Sequence, residues 1–199
     1  GQNAELLTLL KNNVVGIGEP ILYMWGESGS GRSHLLHALC SEVDERGESV
    51  AYIPLHHHRS MTLDIFENME NITLVCIDNV DSIAGNKEWE KALFDFYNRW
   101  LDNKDNRVEG ANLVIAASDL PKQIDIELAD LVSRLEWGAC HHLQSLNDEE
   151  KLGALQLRAQ LKGMRLPIDV GRFLLNRLSR EMCMLLNTLD QLDNASLEA

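Results

Sequence analysis

Residues 23–38 read YMWGESGSGRSHLLHA and contain a glycine-rich loop between an apolar run and a helical one. The loop fits the phosphate-binding pattern G-x-x-x-x-G-K-[ST], except that Arg32 stands in the position of the lysine. In such a loop the glycines let backbone amides turn toward phosphate, and the following helix adds its positive N-terminal end. The alternative is a glycine-rich turn that binds nothing. The residues predicted to bind a nucleotide here are Gly26, Ser28, Gly29, Ser30, Gly31, Arg32, Ser33 and His34.

An acidic residue follows a second apolar run, as expected for the other half of such a site. Residues 72–77 read ITLVCI and are followed by Asp78 and Asn79. At the end of a buried strand, Asp78 is placed to orient Mg²⁺ and its waters, while Ser33 supplies a hydroxyl ligand to the same ion. The amide of Asn79 can position a water but cannot take its proton, which predicts weak hydrolysis. A turn-forming aspartate without a ligand is the alternative for Asp78.

Apolar, β-branched runs alternate with helical patterns as far as Leu143. Helical patterns occur at 33–46 and 88–101, with apolar side chains at helical spacing. The predicted strands are Ile21–Trp25, Val50–Leu55, Ile72–Ile77, Leu113–Ala117 and Ala139–Leu143. This alternation predicts an α/β fold with a parallel sheet that is covered by helices on both faces.

After Leu143 the patterns are helical only. Asn147 followed by Glu150 indicates a capping box at the start of a helix that runs to about residue 162. Pro167 begins a second predicted helix, and Ser179 caps a third that runs to about residue 192. We therefore predict an α/β nucleotide-binding domain over residues 1–145 and a small α-helical domain over residues 146–199.

The charge of the chain bears on its partners. Its 199 residues include 18 basic and 31 acidic ones, which gives a net charge of −13. Such a surface repels nucleic-acid phosphates, so we expect no direct DNA binding. No apolar run reaches the ~20 residues that span a bilayer, so we expect no membrane association.

The cysteines and a run of histidines carry weaker signals. Each cysteine lies in an apolar run, which predicts buried thiols of a reducing cytosol. These residues are Cys40, Cys76, Cys140 and Cys183. The run at 56–58 is three adjacent histidines, which cannot all converge on one ion from an extended chain. We predict a solvated loop there, with a metal site as the alternative.

Several stretches together resemble a known family. They are GRSHLLHA, CIDNVDSIAGNKEWEKALFDFYNRW, SDLP, SRLEWG and RFLLNRLSREMCMLLNTLDQLD. They resemble the AAA+ ATPases and, more closely, the nucleotide-binding domain of the replication initiator DnaA. Within that group, GRS, SREM and TLDQLD resemble the Hda family of DnaA regulators, which lacks the C-terminal helix-turn-helix domain. The resemblance covers nearly the whole chain and implies an AAA+ body with a five-stranded parallel sheet, followed by an all-α lid.

The resemblance also implies roles for individual residues. Asp119, with Ser118, matches the sensor 1 region that responds to the γ-phosphate. Arg134 in SRLEWG matches the arginine finger that reaches into a neighbouring subunit's site. Arg134 follows a predicted helix at 126–133, so an arginine that compensates that helix dipole is the alternative. Cys183 stands at the position of the sensor 2 arginine, and Arg180, nearly one turn earlier, is the candidate to reach the phosphates instead.

The function implied by the resemblance is regulatory. We expect an adenine nucleotide, ADP, to be a structural ligand, which Mg²⁺ can accompany. Arg134 then completes the site around ATP bound to DnaA, so the chain itself is expected not to be an enzyme. The resemblance implies that the chain, together with the DNA-loaded sliding clamp, inactivates DnaA and limits replication initiation. The alternative is an AAA+ ATPase of the DnaA or helicase-loader type that acts directly in initiation.

Partners and location follow from the same resemblance. We expect DnaA and the DNA polymerase III sliding clamp as partners, with the clamp bound through an N-terminal segment that precedes residue 1. The family's lid also runs further than residue 199, so we expect a C-terminal truncation. Copies of AAA+ proteins associate head to tail, and this chain can do the same. The expected location is the bacterial cytoplasm, at the nucleoid and replisome.

Overall fold

The computed structural model describes residues 2–102, 110–178 and 181–197, and it places the side chains of these residues except 183 and 193–197. The chain divides into two compact units. The first, called the α/β unit, consists of Gly1–Ser28 and Arg32–Gln144. The second, called the helical unit, consists of Ser145–Ala199 together with Gly29–Gly31.

The α/β unit is built on one parallel sheet. Its strands are β1 (Ile21–Trp25), β2 (Val50–Pro54), β3 (Leu74–Asp78), β4 (Asn112–Ala117) and β5 (Ala139–His142), and they lie in the order β2-β3-β4-β1-β5. Both β3 and β4 are buried over their whole length, as expected for unbroken apolar strands with helices on both faces. The predicted five-stranded parallel sheet is therefore confirmed.

The described residues of this unit form four α-helices, and one of them had not been predicted. They are α1 (Ala4–Val14), α2 (Arg32–Glu45), α3 (Lys87–Asp102) and α4 (Ala129–Leu135). The unpredicted helix is α1, which buries Leu6, Leu10 and Val14 in the same apolar cluster as α2. Their spacing of four residues is a helical signal that the sequence analysis missed. The other face of the sheet packs on α3 and α4.

The start of α4 differs from the prediction because a buried carboxylate intervenes. A helix had been predicted over 126–133, whereas α4 spans Ala129–Leu135, so that Arg134 lies in its last turn. Glu90 on α3 is only 1% exposed and accepts hydrogen bonds from the backbone N–H groups of Glu127 (3.1 Å) and Leu128 (2.8 Å). Because these two donors are satisfied by Glu90, the chain enters the helix only after them.

Short 3-10 helices connect β2 to β3 and follow β3. They are Leu55–Ser60, Leu63–Phe66, Met69–Asn71 and Val80–Ile83. The histidines predicted to form a solvated loop lie in the first of these helices, where His56 and His57 are exposed as expected but the backbone is helical. His58 is half-buried, with its ring 5.8 Å from that of Trp89. Buried thiols are wrong for Cys140, because it lies on the edge strand β5 and is exposed.

Where the structure describes it, the helical unit consists of three α-helices around a small apolar cluster. These are α5 (Asp148–Leu161), α6 (Ile168–Arg177) and α7 (Met182–Leu197). The predicted capping box is confirmed, because the Asn147 side chain accepts the N–H of Glu150 at 2.9 Å and the Glu150 side chain accepts the N–H of Asn147 at 3.0 Å. The all-α second part of the predicted fold is confirmed as well. Ser179, predicted to cap the last helix, lies outside the described residues.

Glu90 provides a test of the packing around α4. Replacing this buried carboxylate by alanine leaves the N–H groups of Gly85, Glu127 and Leu128, which it accepts in partly buried hydrogen bonds, without their acceptor. We expect Glu90→Ala to lower the free energy of unfolding by about 3 kcal/mol, as measured by urea denaturation. The matched control is Glu88→Ala, an exposed carboxylate of the same helix, which should change the value by less than about 0.5 kcal/mol. Equal effects of the two variants would contradict this account.

Candidate nucleotide-binding site

The glycine-rich loop turns directly from β1 into α2. Gly29 and Gly31 have φ angles of 77° and 105°, and residues that carry a Cβ rarely adopt φ angles in this region. At Gly31 a Cβ would meet no atom within 4 Å, so the backbone conformation and not lack of space requires glycine there. The loop therefore delivers the first residues of α2, with their unpaired backbone N–H groups, to the carboxyl end of β1.

A buried carboxylate joins the loop's helix to the sheet. Asp78 is 0% exposed, and its Oδ2 accepts hydrogen bonds from the hydroxyls of Ser33 (2.5 Å) and Tyr52 (2.8 Å). Its Oδ1 accepts the backbone N–H of Asn79 at 2.9 Å. Burial, and then the hydrogen bond to Asp78, raises the pKa of Tyr52 well above its ordinary value, so this hydroxyl stays a donor. Ser33 and Asp78 thus lie together as oxygen donors of the kind that Mg²⁺ prefers.

The loop arginine is buried and incompletely satisfied. The Arg32 side chain is 10% exposed, and its Nη1 lies 3.9 Å from Asp81 Oδ1. This nitrogen is buried and has no hydrogen-bond partner among the residues that the structure describes. Buried donors are normally paired, so an orphan at the end of a glycine-rich loop fits an anionic group such as a nucleotide phosphate.

Asn79, which was predicted to position a water without taking its proton, contacts another side chain through its amide. Its backbone is left-handed, with a φ of 58°, and its Oδ1 lies 2.9 Å from Nδ1 of His56. The sequence analysis had given His56 no part in this site. Parallel pairing of Pro54 with Asp78 brings the residues after β2 beside those after β3, and that adjacency is the signal that would have found it.

The segment after β4 is fixed by its own hydrogen bonds. Ser118 N–H donates to Asp81 Oδ1 at 2.9 Å, and the Asp119 side chain accepts the N–H of Leu120 at 2.8 Å. The hydroxyl of Tyr23 donates to the backbone carbonyl of Asp119 at 2.8 Å. Asp119 therefore lies at the sheet edge where it was predicted, with its carboxylate in a local turn. Sequence reasoning had missed Tyr23 and Asp81.

Arg134 belongs to a separate group of side chains. Its Nε donates to Asn98 Oδ1 at 3.0 Å, and its guanidinium carbon lies 5.0 Å from the ring centre of Trp137. The indole of Trp137 is 71% exposed. Burial raises the pKa of the neighbouring Tyr97 to about 12, so its hydroxyl is neutral at physiological pH and adds no charge beside Arg134. A hydrogen bond and an aromatic face thus orient the half-buried guanidinium beside an exposed side chain.

Two of the remaining predicted site residues, Ser28 and His34, are exposed. Arg180 lies outside the described residues, and so does the side chain of Cys183, so the sensor 2 interpretation stays a prediction. Within the described ranges, no cluster of three or more His, Cys, Asp or Glu side chains could hold a metal ion. The same ranges contain no helix long and apolar enough to cross a membrane.

Comparison with known families adds to this geometry. Residues 11–142 match the family model described as the bacterial DnaA ATPase domain. Residues 148–199 match the model described as the lid domain of Hda. This chain is an Hda-like member of the DnaA family of AAA+ proteins. The family predicted from the loop, strand-end and lid motifs is confirmed.

Solved structures share the fold at low sequence identity. AMPPCP-bound DnaA from Aquifex aeolicus is 19% identical, with a TM-score of 0.74 over 99% of this chain and 64% of that one. A replication initiator DnaA bound to AMPPCP and single-stranded DNA is 20% identical, with a TM-score of 0.75 over 96% and 60%. Domain III of Thermotoga maritima DnaA is 21% identical, with a TM-score of 0.70 over 87% and 75%. This Hda-like chain therefore spans less than two thirds of the first two DnaA chains.

Two tyrosines test the network around Asp78. Tyr52→Phe removes a hydrogen bond to a buried carboxylate, and we expect it to lower the free energy of unfolding by about 1.5–3 kcal/mol in urea denaturation. The matched control is Tyr97→Phe, because the buried Tyr97 hydroxyl has no hydrogen-bond partner in the described part of the chain. That substitution should be neutral or stabilising. A larger loss from Tyr97→Phe than from Tyr52→Phe would show that the Asp78 network contributes little.

Proposed function

We propose that this Hda-like protein binds an adenine nucleotide and regulates replication initiation by stimulating hydrolysis of the ATP bound to DnaA. The observation that carries the proposal is the half-buried guanidinium of Arg134, which donates to Asn98 and lies 5.0 Å from the ring centre of the exposed Trp137. An arginine that is oriented before binding loses little freedom when it enters a partner's site. Its charge can then stabilise the transition state of phosphoryl transfer there.

The proposed role of the chain's own nucleotide is structural. Ser33, Asp78 and the glycine-rich loop retain the parts that hold phosphate and Mg²⁺. The parts that drive hydrolysis are altered, since Arg32 replaces the usual lysine and Asn79 has no carboxylate to accept a proton. Arg32 offers a planar fork of donors, which suits a static diphosphate. We therefore propose ADP as the ligand and weak or absent turnover by the chain itself.

The proposed partners are DnaA and the DNA-loaded sliding clamp. The family match supports an AAA+ neighbour of the same kind, because fingers in this superfamily act on an adjoining subunit. AMPPCP in related DnaA structures supports an adenine base for the chain's own ligand. Direct DNA binding is not part of the proposal, since the net charge is −13. Action at the bacterial replisome follows from these partners.

The second candidate is an AAA+ ATPase that acts directly in initiation. The observation that favours it is the intact contact between Ser33 and Asp78, which is the pair that holds Mg²⁺ in active P-loop enzymes. Turnover of the purified chain in the absence of any partner separates the two candidates. Brisk hydrolysis of ATP by the isolated chain would favour this second function and would contradict the structural role of the nucleotide.

Arg134→Ala tests the finger. We expect stimulation of hydrolysis of DnaA-bound ATP to fall by about 10³-fold, because the transition-state charge loses its partner. The measurement is release of phosphate from ATP-loaded DnaA in the presence of the DNA-loaded clamp. Affinity of the chain for ADP should stay unchanged, because Arg134 belongs to a group of side chains separate from Ser33 and Asp78.

Arg177→Ala is the matched control, since Arg177 also lies near a helix end with its guanidinium over an aromatic ring, 5.9 Å from the centre of Phe173. It should leave the stimulation within about twofold of the wild-type value, a shift of well under 1 kcal/mol. Parallel loss of ADP binding and of stimulation in Arg134→Ala would mean that Arg134 has a structural role.

Arg32→Ala tests retention of the nucleotide. We expect weaker binding of ADP by calorimetry, because the buried guanidinium no longer donates to phosphate. At 100 times its dissociation constant, ADP should stabilise the wild-type chain by about 2.7 kcal/mol, and this gain should shrink in the variant. Arg32→Lys keeps the charge and should keep binding. No stabilisation of the wild-type chain by ADP would contradict the proposed ligand.

A further inference from the structure

A carboxylate stands beside the arginine of the phosphate loop. Arg32 Nη1 lies 3.9 Å from Asp81 Oδ1, which is an ion-pair distance but too long for a hydrogen bond. The nitrogen is buried and has no hydrogen-bond partner within the described ranges. A buried donor without an acceptor is costly, so Arg32 is ready to donate to an incoming anion. That anion would then lie close to the negative charge of Asp81.

The position of Asp81 is fixed by the sheet. It lies in the 3-10 helix Val80–Ile83, which begins two residues after the end of β3. Its Oδ1 accepts the backbone N–H of Ser118 at 2.9 Å, just after β4. Burial, and then the charge of Asp81, raises the pKa of Tyr23 above its ordinary value. The negative charge of Asp81 therefore acts on a side chain in the interior of the α/β unit. The carboxylate therefore cannot easily move away from Arg32.

We propose that Asp81 makes the nucleotide site prefer a diphosphate to a triphosphate. The inference rests on the nucleotide site proposed above and names the residue that sets its selectivity. The side chain at the lysine position of such loops reaches the β- and γ-phosphates. A triphosphate brings one more negative charge to this position than a diphosphate does. Arg32 and the loop amides attract both ligands, whereas Asp81 opposes the additional charge.

The distances bound the size of this effect. Nη1 of Arg32 is 3.9 Å from Asp81 Oδ1, and a phosphate oxygen that accepts from Nη1 lies about 2.9 Å from it. The phosphate oxygen is then within about 7 Å of the carboxylate. Repulsion between unit charges at that separation, at an effective dielectric constant of about 40, corresponds to about tenfold in affinity. Asp81 is 28% exposed, so salt screens the repulsion only partly.

The test compares ADP with AMPPCP, a non-hydrolysable ATP analogue, on the full chain by calorimetry at one Mg²⁺ concentration. Asp81→Asn removes the charge and keeps an oxygen that can accept from Ser118. We expect the ratio of the AMPPCP to the ADP dissociation constant to fall about tenfold in this variant. Asp95→Asn removes the same charge from an exposed position on α3, where Asp95 pairs with Lys91, and should leave the ratio unchanged.

The outcomes separate this inference from the one on which it rests. Intact binding with an unchanged ratio in Asp81→Asn would overturn the role of Asp81 alone. Failure of the wild-type chain to bind either nucleotide would overturn the proposed site and this inference together. Should Asp81→Asn not fold, Asp81→Ser removes the same charge while keeping a side-chain oxygen as an acceptor, and the same fall in the ratio is expected.

Discussion

The buried carboxylate of Asp78 is the constraint on which the site depends. A charge removed from water costs several kcal/mol unless donors surround it, so its partners must be in place whenever the unit is folded. Those partners are the hydroxyls of Ser33 and Tyr52 and the N–H of Asn79. Through them, one side chain ties the first turn of α2 to β2 and β3. The geometry of the glycine-rich loop, which ends at α2, follows from that attachment.

The two arginines of the proposed mechanism have opposite surroundings. Arg32 is nearly buried, faces a carboxylate at 3.9 Å and keeps a donor without a partner, so it is suited to receiving an anion and holding it. Arg134 is half-buried, donates to Asn98 and lies beside an exposed indole, which suits the outward role proposed for it. In the proposed mechanism the same chemical group therefore serves retention in one place and presentation in another, and the difference lies in the neighbouring side chains.

At several places a carboxylate accepts hydrogen bonds from backbone N–H groups. These contacts explain where the backbone departs from the structure that the local sequence pattern predicts. Glu90 takes the N–H groups of Glu127 and Leu128 and so delays the start of α4. Asp81 takes the N–H of Ser118 and fixes the segment after β4. These contacts join residues that are 37 or 38 positions apart in the chain. Helical periodicity cannot reveal them, because it reports only on neighbours within a few turns.

The sequence by itself determined the five strands, the parallel sheet, the pattern of the phosphate loop and the capping box at Asn147, because each depends on short-range pattern and spacing. The family came from the resemblance of several motifs taken together. Only the tertiary structure decided which side chains meet at the sheet edge. Tyr23, Tyr52, His56 and Asp81 join the site because parallel pairing brings the carboxyl ends of separate strands together. The exposed edge position of Cys140 likewise follows from strand order, which no single segment encodes.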